Sequence, residues 1–155
     1  TLLPGICTIN RGIAGEHCEE LAARLIGEVS EGPDPEYLLL MCGTNNLLMG
    51  NPYFPPIYSS MLPQLRSLCP DTQITLNSIM PMRIAGIREE EIIAINQELY
   101  EVTRQSGCRF LDMTIPFTEQ CLPITKPCFL DDGVHLSTLG YQVWAKEIQQ
   151  HLITP

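Results

Sequence analysis

Near the C-terminus the chain reads Asp131-Asp132-Gly133-Val134-His135-Leu136-Ser137, directly ahead of a predicted helix. An acid three residues before a histidine, with a glycine between, lets one short loop aim both side chains at one point. That pair suits general-base chemistry: the imidazole takes a proton near neutral pH, and the carboxylate fixes its tautomer and supports the imidazolium. The D-x-x-H pattern alone is common by chance, so its weight depends on what accompanies it. Two further stretches could present donors to a ligand. Gly12 and Gly15 stand where a predicted strand turns into a helix, and such a glycine brings backbone N–H groups close to a ligand at a positive helix end. Asn45, in Gly43-Thr44-Asn45-Asn46, offers a neutral side-chain donor at the end of another strand.

The elements that must hold these residues alternate. Residues 5–10 read as a short strand, followed by an amphipathic helix over 16–29 with Leu21, Leu25, Ile26 and Val29 as its apolar stripe. The unbroken apolar run 37–42 fits a strand covered on both faces. A helix over 57–69 presents Met61, Leu65 and Leu68, and Pro63 predicts a kink or a late start. A strand at 73–78 and a long helix over 89–106 come next, the helix carrying Ile92, Ile95, Leu99 and Val102 and closed by Gly107. A fourth strand at 109–113 leads to a Pro- and Cys-rich loop over 115–130. The final helix, 138–152, buries Leu139, Val143, Trp144, Ile148 and Leu152, with Ser137 or Thr138 as its N-cap. Four strand–helix alternations imply an α/β, three-layer α/β/α fold with a parallel, flavodoxin-like sheet, formed by residues 1–155 as one domain. All three motifs then fall at C-terminal strand ends, where open α/β sheets bind ligands.

Composition narrows the function classes. The 155 residues are 45% hydrophobic, with a formal charge of −9 and no Lys/Arg cluster. A backbone-tracking nucleic-acid binder needs a positive footprint, so nucleic acid is not the expected partner. No apolar run approaches the ~18 residues of a membrane span, and the first residues show no signal-peptide pattern. The seven cysteines include no C-x-x-C pair, and reduced thiols are the expectation, with Cys121 and Cys128 the one pair suited to a disulfide. The histidines His17, His135 and His151 do not sit at metal-ligand spacing with cysteine, so no metal or other cofactor is expected. His17 and His151 read as surface residues.

Taken together the motifs resemble the SGNH (GDSL) hydrolase family, and Gly43-Thr44-Asn45-Asn46 is most similar to the platelet-activating-factor acetylhydrolase catalytic-subunit branch. Asn10-x-Gly12-x-x-Gly15 matches the family's second block, Gly43-x-Asn45 the third and Asp132-x-x-His135 the fifth, in order along nearly the whole chain. The resemblance implies a serine esterase or acetylhydrolase acting on small acyl esters. His135 would be the general base, oriented by Asp132, and the oxyanion would be held by the Gly15 N–H and the Asn45 amide.

One block is absent. The family's nucleophile lies in a Gly-Asp-Ser ending its first, central strand, and this chain contains no such tripeptide. Ser59 and Ser60 lie on a predicted helix, and no G-x-S-x-G occurs. Three explanations follow: the sequence is a segment of a longer hydrolase, a partner chain or second copy donates the strand, or the chain is a non-catalytic binding or assembly module that keeps the fold. The first is the working expectation, and an open sheet centre favours a partner chain.

Overall fold

The sheet is built around one strand, whose side chains alternate between two environments. In the computed structural model, which describes residues 2–121 and 126–153, β2 (Gln73–Asn77) buries Ile74 and Leu76 on one face and the polar Thr75 and Asn77 on the other. It pairs in parallel with β1 (Tyr37–Leu40) and with β3 (Arg109–Leu111), giving the order β1-β2-β3. Parallel neighbours need crossover connections, and helices supply them. These are α3 (Pro55–Leu68) between β1 and β2, and α4 (Glu89–Gln105) between β2 and β3. Upstream of β1 lies α1 (Cys18–Ser30); a short α2 (Thr44–Leu48) follows β1. After β3 come α5 (Thr114–Cys121), one 3₁₀ turn (Lys126–Cys128) and α6 (Thr138–Ile153).

Helices α1, α3 and α4 pack side by side, burying Leu21, Leu25, Tyr58, Met61, Leu65, Ile92, Ile95 and Leu99. The other face belongs to α6. Its Trp144 donates from Nε1 to Asn77 Oδ1 at 2.9 Å, and His151 Nε2 lies 3.2 Å from Thr75 Oγ1. Asn77 and Thr75 are thus polar residues facing the interior because α6 supplies partners for them. His151 is half-buried on the sheet instead of lying at the surface as expected, and burial pushes its pKa below the ordinary value.

The α/β class, the parallel sheet and the main helices agree with expectation, and several details differ. Residues 5–10 form no strand: they run as an irregular, largely exposed segment, with Ile9 at 77% exposure. A lone strand leaves its backbone groups unpaired, and the outer edge of β1 has no partner among the described residues to bridge the two. For the same reason the run at 37–42 is not covered on both faces. It is strand only to Leu40, and Leu39, in register with Thr75, is exposed. Helix α3 starts early, not late, because Pro55 and Pro56 occupy its first turn, where missing N–H groups cost nothing. Pro63 is accommodated inside it on an exposed face; Leu68 and Leu139, expected in the core, are 42% and 40% exposed. Finally, the segment expected as a loop after β3 begins as α5, anchored by the fully buried Phe117 against Phe129. A disulfide joins Cys121 to Cys128, correcting the expectation of reduced thiols throughout; the part of the expected loop at 122–125 lies outside the described residues. No helix is long and apolar enough to cross a membrane among the described residues.

Candidate active site

The Asp132–His135 loop is closed at its base before its functional side chains are placed. Phe129 and Leu136 form an antiparallel bridge, Leu130 N–H donates to His135 C=O at 2.7 Å, and Ser137 N–H donates to Cys128 C=O at 2.9 Å. The disulfide at Cys128 ties this base to α5. Ser137 caps α6, its hydroxyl accepting from Gly140 N–H at 3.2 Å, so Asp132 is not needed as a cap. Inside the loop Gly133 has φ +72°, and a Cβ there would run into the Arg83 carbonyl. Arg83 N–H in turn donates to Gly133 C=O at 3.3 Å, fastening the loop to the segment that follows β2.

Asp132 is held at three points. Its Oδ1 accepts the N–H groups of Val134 and His135, both at 2.9 Å, and its Oδ2 lies 2.7 Å from His135 Nδ1. The two backbone donors, followed by the imidazole, hold the Asp132 carboxyl down at a pKa of about 2. It is therefore ionised at neutral pH and accepts the Nδ1 proton, which leaves the ring's lone pair on Nε2. The His135 side chain is 74% exposed.

The other two predicted residues meet at a second corner. Gly43, φ +124°, turns the chain from β1 into α2; a Cβ there would collide with the Phe54 ring, and Ile79 is also in the way. The turn puts Asn45 in the first turn of α2, where its Nδ2 donates to Glu16 C=O at 2.9 Å. Asn45 is thus bonded to the residue after Gly15, and one amide hydrogen remains for a ligand. Gly15 has φ +80° and is exposed just ahead of α1. Gly12 N–H caps back onto Asn10 Oδ1 at 2.9 Å, and Arg24 secures the segment from below. Its guanidinium binds the Glu16 carboxylate, Glu28, and the Arg11 carbonyl at 2.9 Å.

Sequence reasoning placed none of Asn46, Glu16 and Arg24 among the site residues. Asn46 is 2% exposed, accepts from Cys18 N–H at 3.0 Å and donates to Glu19 at 2.8 Å, locking α2 to α1. Its position beside Asn45 was the only available signal. The Glu16–Arg24 pair spans eight residues across a helix start, a spacing outside the i,i+3 and i,i+4 rules.

The four expected residues form two pairs, Asp132 with His135 and Asn45 with the Gly15–Glu16 turn. No hydrogen bond joins one pair to the other among the described residues. A cavity of about 500 Å³ lies beside the Asp132 loop, lined by Met82, Arg83, Ile84, Ile87, Ile92 and Thr114 among others. A second, of about 480 Å³, lies in the groove between α3 and α4. None of the four residues lines either cavity. No group of three or more potential metal-ligating side chains occurs among the described residues.

The model of the GDSL-like lipase/acylhydrolase family matches residues 3–143. The chain belongs to this family. Its members are hydrolases of ester substrates, which sets the general class of chemistry. A search of curated proteins finds no match. Among solved structures, a Streptococcus pneumonia protein assigned as a platelet activating factor superposes with TM-score 0.83 at 26% identity, over 96% of this chain and 74% of that one. A catalytic histidine-to-alanine mutant of an acetylxylan esterase from Geobacillus stearothermophilus gives 0.78 at 16% identity, covering 95% and 72%. A Parabacteroides merdae protein assigned as a GDSL-like lipase gives 0.77 at 20%, covering 91% and 70%. The fold of this GDSL-family chain is thus shared with longer proteins, each matched over about three quarters or less of its length.

Proposed function

We propose that this chain carries the base and oxyanion-binding parts of a serine ester hydrolase for small acyl esters. The observation that carries the reading is the Asp132–His135 pair, a short contact at Nδ1 on a loop pinned at both ends, in a chain of the GDSL family. The nucleophile would come on a strand laid along the open edge of β1, between it and residues 5–10, from a preceding segment or a partner chain. Its hydroxyl oxygen attacks the ester carbonyl while His135 Nε2 takes the proton. The oxyanion forms against the Gly15 N–H and the free hydrogen of Asn45 Nδ2, donors already fixed before the reaction. His135 then passes its proton to the departing alcohol, and water repeats the sequence to release the acid. An acetylxylan esterase among the structural neighbours supports a small acyl group.

The test is turnover of p-nitrophenyl acetate by the natural protein and by His135→Ala. The reading expects measurable wild-type hydrolysis that the substitution removes; equal rates for both would reject His135 as the base. A second reading, a non-catalytic binding or assembly module, is favoured by the absence of Gly-Asp-Ser from the 155 residues. Wild-type protein with no turnover would select it.

A further inference from the structure

Beneath the Asn45 corner two thiols share one pocket with a tyrosine. Cys18, the first residue of α1, is 1% exposed, and Cys42, just past β1, is half-buried. The buried Tyr58 hydroxyl stands between their two segments: it donates to Cys42 C=O at 3.0 Å and accepts from Cys18 Sγ at 3.8 Å. Cys42 Sγ donates to Glu16 C=O at 3.5 Å, the same oxygen that anchors Asn45.

We propose that Cys18 and Cys42 are a reactive dithiol that a peroxide converts to an intramolecular disulfide. Cys42 is the attacking sulfur and Cys18 the resolving one. The neighbouring Cys18 side chain and the Gly43 N–H hold the Cys42 thiol below its ordinary pKa, while Cys42 and burial push Cys18 up. The more accessible sulfur is therefore also the better thiolate. Its lone pair displaces one oxygen of the peroxide, giving Cys42–SOH and releasing alkoxide or hydroxide. Cys18 Sγ then attacks that sulfur, the S–S bond forms, and water leaves with the Cys18 proton. Two thiols are oxidised and one peroxide is reduced. The remaining free thiols lack such an arrangement: burial and Asp34 push Cys69 up, burial pushes Cys108 up, and Cys7 stands exposed in the 5–10 segment. The bond would staple the start of α1 to the end of β1, across the carbonyl that holds Asn45.

The proposal is tested in a Cys7→Ser background, which removes the exposed thiol and leaves four free cysteines. The protein is treated with hydrogen peroxide, alkylated under denaturing conditions and mapped without reduction. The expected result is loss of two thiols, a Cys18–Cys42 linked peptide, and full recovery of both thiols with dithiothreitol. Cys18→Ser should instead leave Cys42 to advance to sulfinic acid, and Cys42→Ser should leave Cys18 unreacted. Oxidation of Cys42 with Cys18 still free, a disulfide between molecules, or no thiol loss would each overturn the proposal. None of these readouts depends on ester turnover.

Discussion

Replacing Asp132 with asparagine separates the two jobs of that carboxylate. Oδ1 accepts two backbone N–H groups at 2.9 Å, whereas Oδ2 makes one contact, at 2.7 Å to His135 Nδ1. In Asp132→Asn the amide oxygen is therefore expected to keep the two backbone donors, since flipping it would set an NH₂ group against both. The amide nitrogen then faces Nδ1, and being a donor it forces the imidazole into the Nε2–H tautomer. Nε2 ceases to be a base. In a serine hydrolase the same wrong-tautomer substitution lowers kcat about 10⁴-fold, and a loss of that order is expected here. Long-range ¹H–¹⁵N correlation spectra of the ring report the tautomer directly, whether or not the sample turns over ester. An unchanged Nδ1–H tautomer together with kcat within about tenfold of wild type would refute the reasoning, because Asp132 would then not be setting the imidazole.

Asn45→Ala is expected to lower ester turnover by about 10²–10³-fold with little change in KM, read in the p-nitrophenyl acetate assay, as for loss of one oxyanion donor. Gly43→Ala combines a backbone at φ +124° with a methyl group driven into Phe54 and Ile79, both 0% exposed. The cost should be about 2–5 kcal/mol, measured as a Tm decrease in calorimetry; an unchanged Tm would show that the turn can relax. Asp132 has a folded pKa near 2, below its ordinary 3.8, so its contribution to the loop is complete above that ordinary value and is lost as the pH falls through about 2. The amide shifts of Val134 and His135 should follow a midpoint near 2 in an NMR titration, and a midpoint near 3.8 would contradict the hydrogen bonds assigned to them.

What was legible in the sequence was what neighbouring residues decide. The Ile74–Leu76 run, the stripe of Ile92, Ile95 and Leu99, and the D-x-x-H loop are all local patterns, and each appears where the pattern places it. What was hidden depended on partners far along the chain. The 5–10 segment has the composition of a strand but no neighbour to pair with, and β1 for the same reason keeps an open edge and an exposed Leu39. Helix α5 carries Pro116 and little amphipathic pattern; Phe117 on Phe129 and the Cys121–Cys128 bond hold it, neither of which spacing alone could decide. At the candidate site Asn45 was visible, but its anchor is a backbone carbonyl 29 positions away, and a carbonyl leaves no mark on sequence.

The central claim is that His135 serves a serine carried on a strand beside β1, and fluorophosphonate labelling of the natural protein tests it most directly. The account predicts one modified serine, mapped outside residues 1–155, with labelling lost in His135→Ala. A label on a serine of this chain, such as Ser59 or Ser78, labelling indifferent to His135, or none at all would contradict it.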